Sequence, residues 1–193
     1  MADDSWRRAP PLSRDFFDRP TLDVARDLLG MLLVHELPAG PRVTRIVETE
    51  AYVGPEDRGS HARRGRTART APMFGPPGHA YVYLIYGVHY CLNVVTEREE
   101  YPAAVLLRAA EAVAGLPGPA RGPGLLCRLL QIDLKANETD LTAPPLYLAA
   151  GTPVEPERIA RGPRIGIDYA GEWAARPWRF WVADSPAVSR PRR

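Results

Sequence analysis

Helical spacing of apolar residues occurs first near the N-terminus. Leu22, Val24, Ala25, Leu28 and Leu29 form one stripe after Thr21, and Gly30 ends it, which predicts a short helix capped by Thr21. The next apolar blocks are too short for helices. MLLVHEL and, after the PAGP turn at 38–41, RVTRIVETEAYV predict two strands that pair as a hairpin. In the second strand, alternation places Ile46, Glu48, Glu50 and Tyr52 on one face and Val47, Thr49, Ala51 and Val53 on the other. AYVYLI and HYCLNVV predict strands on either side of a sharp Tyr86-Gly87 turn, and AAVLLRAA (103–110) predicts another. EAVAGLPGPARG then reads as a loop or a frayed helix. Pro123 opens a helix through GPGLLCRLLQID, with Leu125, Leu126, Leu129 and Leu130 turned inward. A proline-punctuated coil over 143–163 leads to a last sheet region, RIGIDYAGEWAARPWRFWVAD.

Strands outnumber helices and double back through short loops, without internal repeats. This pattern predicts an α+β fold: one mixed domain over 12–189, with a curved, mainly antiparallel sheet, peripheral helices and a protruding β-hairpin. Residues 1–11 are charged, proline-bearing and aperiodic, as expected of a disordered tail, and 190–193 form a basic tail. At 193 residues, 45% hydrophobic and 25% charged, the chain has the composition of an ordinary globular protein. It carries no apolar stretch long enough to span a bilayer and no signal sequence, so a cytoplasmic protein without a membrane partner is expected. With no strong self-association surface visible, a monomer without a required protein partner is the default.

The formal charge of +2 says little, but its carriers say more: of 25 basic residues, Lys135 is the single lysine. Arginine bias is what a GC-rich genome produces, and arginine also forks onto phosphates and stacks on rings. Cys91 and Cys127 show no metal or redox spacing and read as buried thiols. No nucleotide-binding, zinc or serine-nucleophile motif is present, so neither a cofactor nor a metal is expected.

Four features carry chemistry. Glu48 and Glu50 share a strand face, which by itself describes the wet side of a half-buried sheet. Arg108, however, lies inside an otherwise apolar strand and requires a buried anion, for which either glutamate serves. Tyr81, Tyr83, Tyr86 and Tyr90 crowd the hairpin. Cross-strand packing accounts for Tyr81 and Tyr90, whereas Tyr86 at the turn tip has little core to enter and suits a wedge between bases or a partner contact. Asn93 on the return strand is a local hydrogen bonder or a ligand selector. The loop at 54–79 is too polar for a core element, and loops of that length are usually functional or disordered. Its His61, Arg63, Arg64, Arg66 and Arg69 form either a solvated surface or a phosphate-binding one. Gly122-Pro123-Gly124 at a helix start offers free backbone N–H groups to an anion.

With RIVETEAYVGPEDRGSH, MFGPPGHAYVYLIYGVHYCLNVV, VLLRAAE, GPGLLC and RIGIDYAGEWAARPWRFWV in this order, the chain resembles the alkyladenine (3-methyladenine) DNA glycosylases of the mammalian type, from about Leu12 to Ser189. The resemblance implies excision of damaged purines from double-stranded DNA by a nucleoid-associated repair enzyme. Glu50 matches the general base. Arg108 and the main-chain carbonyl of Ile165 match groups that hold the attacking water. Tyr52, His61 and Tyr83 match the enclosure of the flipped base, Tyr86 the ring that fills the vacated gap, and Asn93 the side chain that rejects guanine. Leu125 departs from the pattern, because relatives commonly carry lysine there. The loop between Arg108 and Gly122 is shorter than in vertebrate relatives. The competing reading is a non-catalytic module that binds damaged nucleic acid.

Overall fold

A computed structural model describes residues 5–189, so residues 1–4 and the basic tail at 190–193 lie outside the described residues. Against the expectation of an unstructured start, Ser5–Arg8 form a 3-10 turn, Trp6 is buried against Leu32, Val34, Val43 and Tyr147, and Pro11 bridges to Ala149. Helices α1 (Arg14–Phe17) and α2 (Thr21–Asp27) follow. Pro20 occupies the N-cap position expected of Thr21. The Thr21 hydroxyl instead donates to Glu97 at 2.5 Å, which ties α2 to a distant loop. Gly30 ends the segment with φ +86°.

The predicted hairpin is present as β1 (Leu32–Leu37) and β2 (Gly40–Tyr52). The sheet continues with β3 (Ala80–Ile85), β4 (His89–Val95), β5 (Ala104–Ala114), β6 (Ala120–Arg121), β7 (Leu146–Ala149), β8 (Ile159–Gly162) and β9 (Arg179–Val182). Its main path runs β3-β4-β5-β2-β1-β7, with every pairing antiparallel. The fold is therefore the expected α+β domain with a mainly antiparallel sheet. Helix α3 (Pro123–Leu130) packs across β4 and β5 through buried Leu126, Cys127 and Leu130, with Leu125 and Leu129 only partly covered. No helix among the described residues is long and apolar enough to cross a membrane.

Several elements differ from expectation. Residues 111–114 extend β5 rather than forming a loop, because Thr44 and Val43 of β2 continue to pair with them. The coil over 143–163 contains β7 and β8, four residues each. In the last sheet region only β9 is a strand, and Asp168–Ala175 form 3-10 turns broken at Gly171.

Strand β2 positions the site. One of its edges pairs with β5 from Val43 to Tyr52, while the other pairs first with β1 and then, over residues 48–50, with β9. Its register against β5 slips on both sides of Glu48. One consequence is that Ile46 and Val47 are both buried in the main core, so the simple alternation predicted there fails. Another is that Glu48 pairs with Ala109 and Thr49 with Leu107, leaving Arg108 outside the ladder. Bulges re-aim side chains in this way, and here they turn Arg108 onto the two glutamates.

Candidate active site

Glu48 and Glu50 are completely buried and Arg108 is 8% exposed. The anion that Arg108 requires is supplied by both glutamates: its Nε donates to Glu48 Oε1 at 3.2 Å and its Nη1 lies 3.4 Å from Glu50 Oε1. Glu48 also accepts from Arg179 Nη1 at 3.0 Å and from the Ser189 N–H at 2.7 Å, and Arg108 Nη2 donates to the Ser189 hydroxyl. Glu48 is thus held by two arginines and a backbone amide. Glu50 shares only Arg108 with it.

The remaining partners of Glu50 are the Tyr52 hydroxyl, which donates to Oε2 at 2.9 Å, and the Ile165 N–H, which donates to Oε1 at 2.7 Å. Ile165 therefore reaches the carboxylate through its N–H, where the resemblance implied a role for its carbonyl. Burial pushes the Glu50 carboxyl above the usual glutamate range and nearby Glu48 adds to this, while Arg108, the Ile165 N–H and the Tyr52 hydroxyl pull the other way. Burial pulls the Arg108 guanidinium down, but Glu50 and Glu48 outweigh it and the net shift is upward. The result is a carboxylate held in fixed geometry, with a proton affinity raised above that of an ordinary glutamate.

Aromatic rings gather beside it. The His61 and Tyr83 rings meet edge-on at 4.7 Å, the Tyr81 and Tyr83 rings lie tilted at 5.4 Å, and His61 Nδ1 lies 2.9 Å from the Tyr81 hydroxyl. Burial raises both Tyr52 and Tyr83 well above the usual tyrosine range, so both are neutral donors. Tyr83 faces Cys91 across the hairpin ladder, and Cys91 is a buried free thiol pushed up by burial. Asn93 is buried and donates to the Tyr81 carbonyl at 3.0 Å.

Burial lowers His61 to about 4, with the positive Arg69 contributing. Between that value and the ordinary 6.5, the unfolded chain holds a proton that the folded chain does not, so stability falls as pH drops through this window. Replacing His61 with glutamine should narrow the gap between melting temperatures measured above and within the window, relative to the parent protein. An unchanged gap would place the acid sensitivity elsewhere.

Tyr86 stands at the hairpin tip, 85% exposed, with Val88 beside it at 68%. Its φ of +53° is strained for a residue with a side chain, a cost of about 1 kcal/mol, and it is followed by Gly87 at +69°. Such turns usually place Asn or Gly at that position, so a tyrosine there calls for an explanation other than folding.

The basic loop contributes unequally. Arg63 lies over the exposed Tyr169 ring at 5.5 Å, Arg69 lies over Tyr83 at 5.3 Å, and Arg64 is exposed. Arg66 is paired with Glu100 at 2.5 Å and covers Phe74. Gly122, with φ +125°, precedes α3, and a Cβ on Gly124 would come within 3.0 Å of His89, so the start of α3 packs directly against the hairpin.

Sequence reasoning missed Asp57, Arg164, Arg179 and Ser189. Arg164 lies fully buried against Asp57, with two contacts of 2.5 and 2.8 Å, and its guanidinium sits 4.7 Å from the Tyr52 ring. Arg164 stands in RGPRIGID, where a single apolar neighbour on one side gives no sign of burial, so the logic that singled out Arg108 does not reach it.

Residues 15–186 match the family model described as methylpurine-DNA glycosylase. Among curated proteins, the chain is 54% identical over 195 residues to one from Methanocella arvoryzae, covering 94% of this chain and 96% of that protein. It is 55% identical over 181 residues to one from Myxococcus xanthus, covering 93% of each, and 48% identical over 195 residues to one from Streptomyces avermitilis, covering 93% and 91%. Each is provisionally named a 3-methyladenine DNA glycosylase. Glu50, Arg108, Ile165 and the aromatic bank all lie within the matched span, and on these identities the chain belongs to the methylpurine-DNA glycosylase family.

Proposed function

We propose that this protein is a monofunctional DNA glycosylase. It flips alkylated or deaminated purines (3-methyladenine, 7-methylguanine, hypoxanthine, ethenoadenine) out of the duplex and hydrolyses their N-glycosidic bond. The observation that carries this reading is Glu50: a fully buried carboxylate, opposed by Arg108 and gripped by Tyr52 and the Ile165 N–H, beside a bank of rings. A protein that only binds has no use for such a group.

In this reading the domain over 12–189 grips double-stranded DNA. Arg63, Arg64, Arg66 and Arg69, together with the Gly122 and Gly124 amides, face the phosphates; for Arg66 this means giving up Glu100. Tyr86 enters the stack and fills the gap that the lesion leaves, which offsets part of the unstacking cost of a few kcal/mol. Tyr52, His61 and Tyr83 enclose the flipped base, and the Asn93 amide crowds the amino group of guanine. Ionised Glu50 accepts a proton from the attacking water and faces the positive charge that develops on the sugar as the base departs. Cationic alkylated purines leave readily, whereas neutral hypoxanthine must acquire a proton. A lyase step would need an amine nucleophile. The single lysine, Lys135, sits on an exposed 3-10 turn, and the contacts of Glu50 among the described residues come from Tyr52, Ile165 and Arg108.

The test uses duplex oligonucleotides, each carrying one of these lesions, incubated in chelator, with free base and strand scission scored separately. Released base with strands intact until alkali is added supports the proposal and ranks the lesions. Binding without release from any of them would favour the damage-binding module.

Tyr86 gives a sharper check. Tyr86→Gly removes the ring and also relieves a strained backbone, so the protein should melt no lower than the parent. Its affinity for lesion duplex should nonetheless fall about 10-fold, the worth of one stacked ring. Equal affinity would rule out the wedge.

A further inference from the structure

Two of the three groups that hold Glu50 trace back to one ion pair that sequence reasoning did not find. Arg164 Nη1 donates to Asp57 Oδ2 at 2.5 Å and to the Ala51 carbonyl at 2.8 Å, and Nη2 donates to Asp57 Oδ1 at 2.8 Å. Asp57 in turn accepts from the Val53 N–H at 3.1 Å and the Gly59 N–H at 2.9 Å. Tyr52 lies between the two anchored residues Ala51 and Val53, with its ring on the guanidinium. Ile165 is the next residue after Arg164. The Tyr52 hydroxyl and the Ile165 N–H are thus both mounted on the same fully buried pair. Gly59 leads into the Ser60 cap of the turn that carries His61.

An apolar pair of equal volume would stabilise such a site as well or better. What it would not supply is a planar fork that fixes several backbone positions at once. On these grounds we propose that Asp57–Arg164 is the positioning device of the catalytic carboxylate, holding the Ile165 N–H and the Tyr52 hydroxyl on Glu50. The inference rests on the reading of Glu50 as the base. The other charged or titratable groups around Glu50 are Arg108 on β5, Glu48 on β2 with Arg179 of β9 behind it, Tyr83 on β3 and Cys91 on β4. Of these only Arg179 touches the anchored segment, through its Nε bond to the Pro163 carbonyl at 2.9 Å, so loosening the pair should remove two donors from Glu50 and leave Arg108, Glu48, Tyr83 and Cys91 in place.

Both donors favour the ionised carboxylate, so their loss raises the pH at which Glu50 ionises. Two variants test this. Asp57→Asn removes the charge. Gly59→Ala keeps every charge and places a Cβ about 2.8 Å from Arg164 Nη2, forcing the fork to shift. Two measurements are made on each: the pH profile of single-turnover base release, and the titration of Glu50 followed by carboxyl 13C NMR. Asp57→Asn is expected to slow release about 10- to 100-fold, to move the acid limb to higher pH, and to leave affinity for an abasic-site duplex within about 3-fold of the parent. Gly59→Ala should move the limb and the titration the same way by less, and it decides the matter if Asp57→Asn does not fold. A Glu50 titration identical to the parent in a folded variant overturns the proposal. If the parent releases no base but the titration still moves, the positioning role stands and the glycosylase reading fails.

Discussion

Replacing Glu50 with glutamine is expected to reduce base release by about 1,000-fold or more, with lesion-duplex affinity nearly unchanged. Glutamine preserves the shape of the side chain: its amide oxygen can still accept from the Ile165 N–H, and its NH2, in place of Oε2, can donate to the Tyr52 oxygen. It cannot take a proton from water and carries no charge to face the departing sugar. The same substitution should raise the melting temperature at neutral pH. Burial disfavours the ionised form of Glu50, so the folded chain holds its proton at pH values where the unfolded chain has released it. The contribution of Glu50 to stability is therefore fully present below the unfolded value and is lost as pH rises through the folded one. The gap between variant and parent should accordingly widen with pH and close toward the ordinary glutamate range. Thermal melts across pH, run alongside single-turnover assays, measure both effects. A glutamine variant that melts lower than the parent at neutral pH while keeping its activity would make Glu50 a structural anion. The parent's activity should rise with pH along a limb that lies above the ordinary glutamate range.

Much of this site was legible in the chain, because its most costly groups advertise themselves. A charged residue within VLLRAA requires an anion, and an alternating strand with two glutamates offers it. A tyrosine before glycine between two apolar strands announces an exposed ring. Local spacing did not reveal the register slips around Glu48, since a bulge is set by how two strands fit and leaves no mark on either one alone. Strands β7 and β8 escaped notice for another reason. Four residues among prolines carry too little period to register, and their pairing comes from β1 and β9. Asp57 and Arg164 stand 107 positions apart, so neither predicts the other without the fold. The start of the chain misled through composition: Trp6 is anchored by a cluster assembled from β1, β2 and β7, none of it local.

Arg108→Leu should produce the second large effect, on stability and activity together. The substitution leaves two fully buried carboxylates short of a cation, although Glu48 keeps Arg179 and the Ser189 N–H. Breaking a buried pair from one side costs about 3 kcal/mol or more, which for a domain of this size lowers the melting temperature by roughly 10 °C. Base release at neutral pH should fall about 100-fold. Arg108 pulls the Glu50 carboxyl down, so its absence should also move the acid limb upward. Adding Glu48→Gln separates the two roles. With Glu48 neutral, the buried negative charge that Arg108 no longer offsets disappears, although Arg179 loses its carboxylate, and the double variant should recover about 1 to 3 kcal/mol of stability relative to additive losses. Activity should stay low, because Glu50 still lacks the cation 3.4 Å from its Oε1. Simple additivity of the two stability losses would mean that Arg108 and Glu48 do not act as a pair. Recovery of activity with stability would mean that Arg108 serves only the fold. The expected split, stability regained and chemistry not, assigns Glu48 to holding Arg108 and Arg108 to holding Glu50.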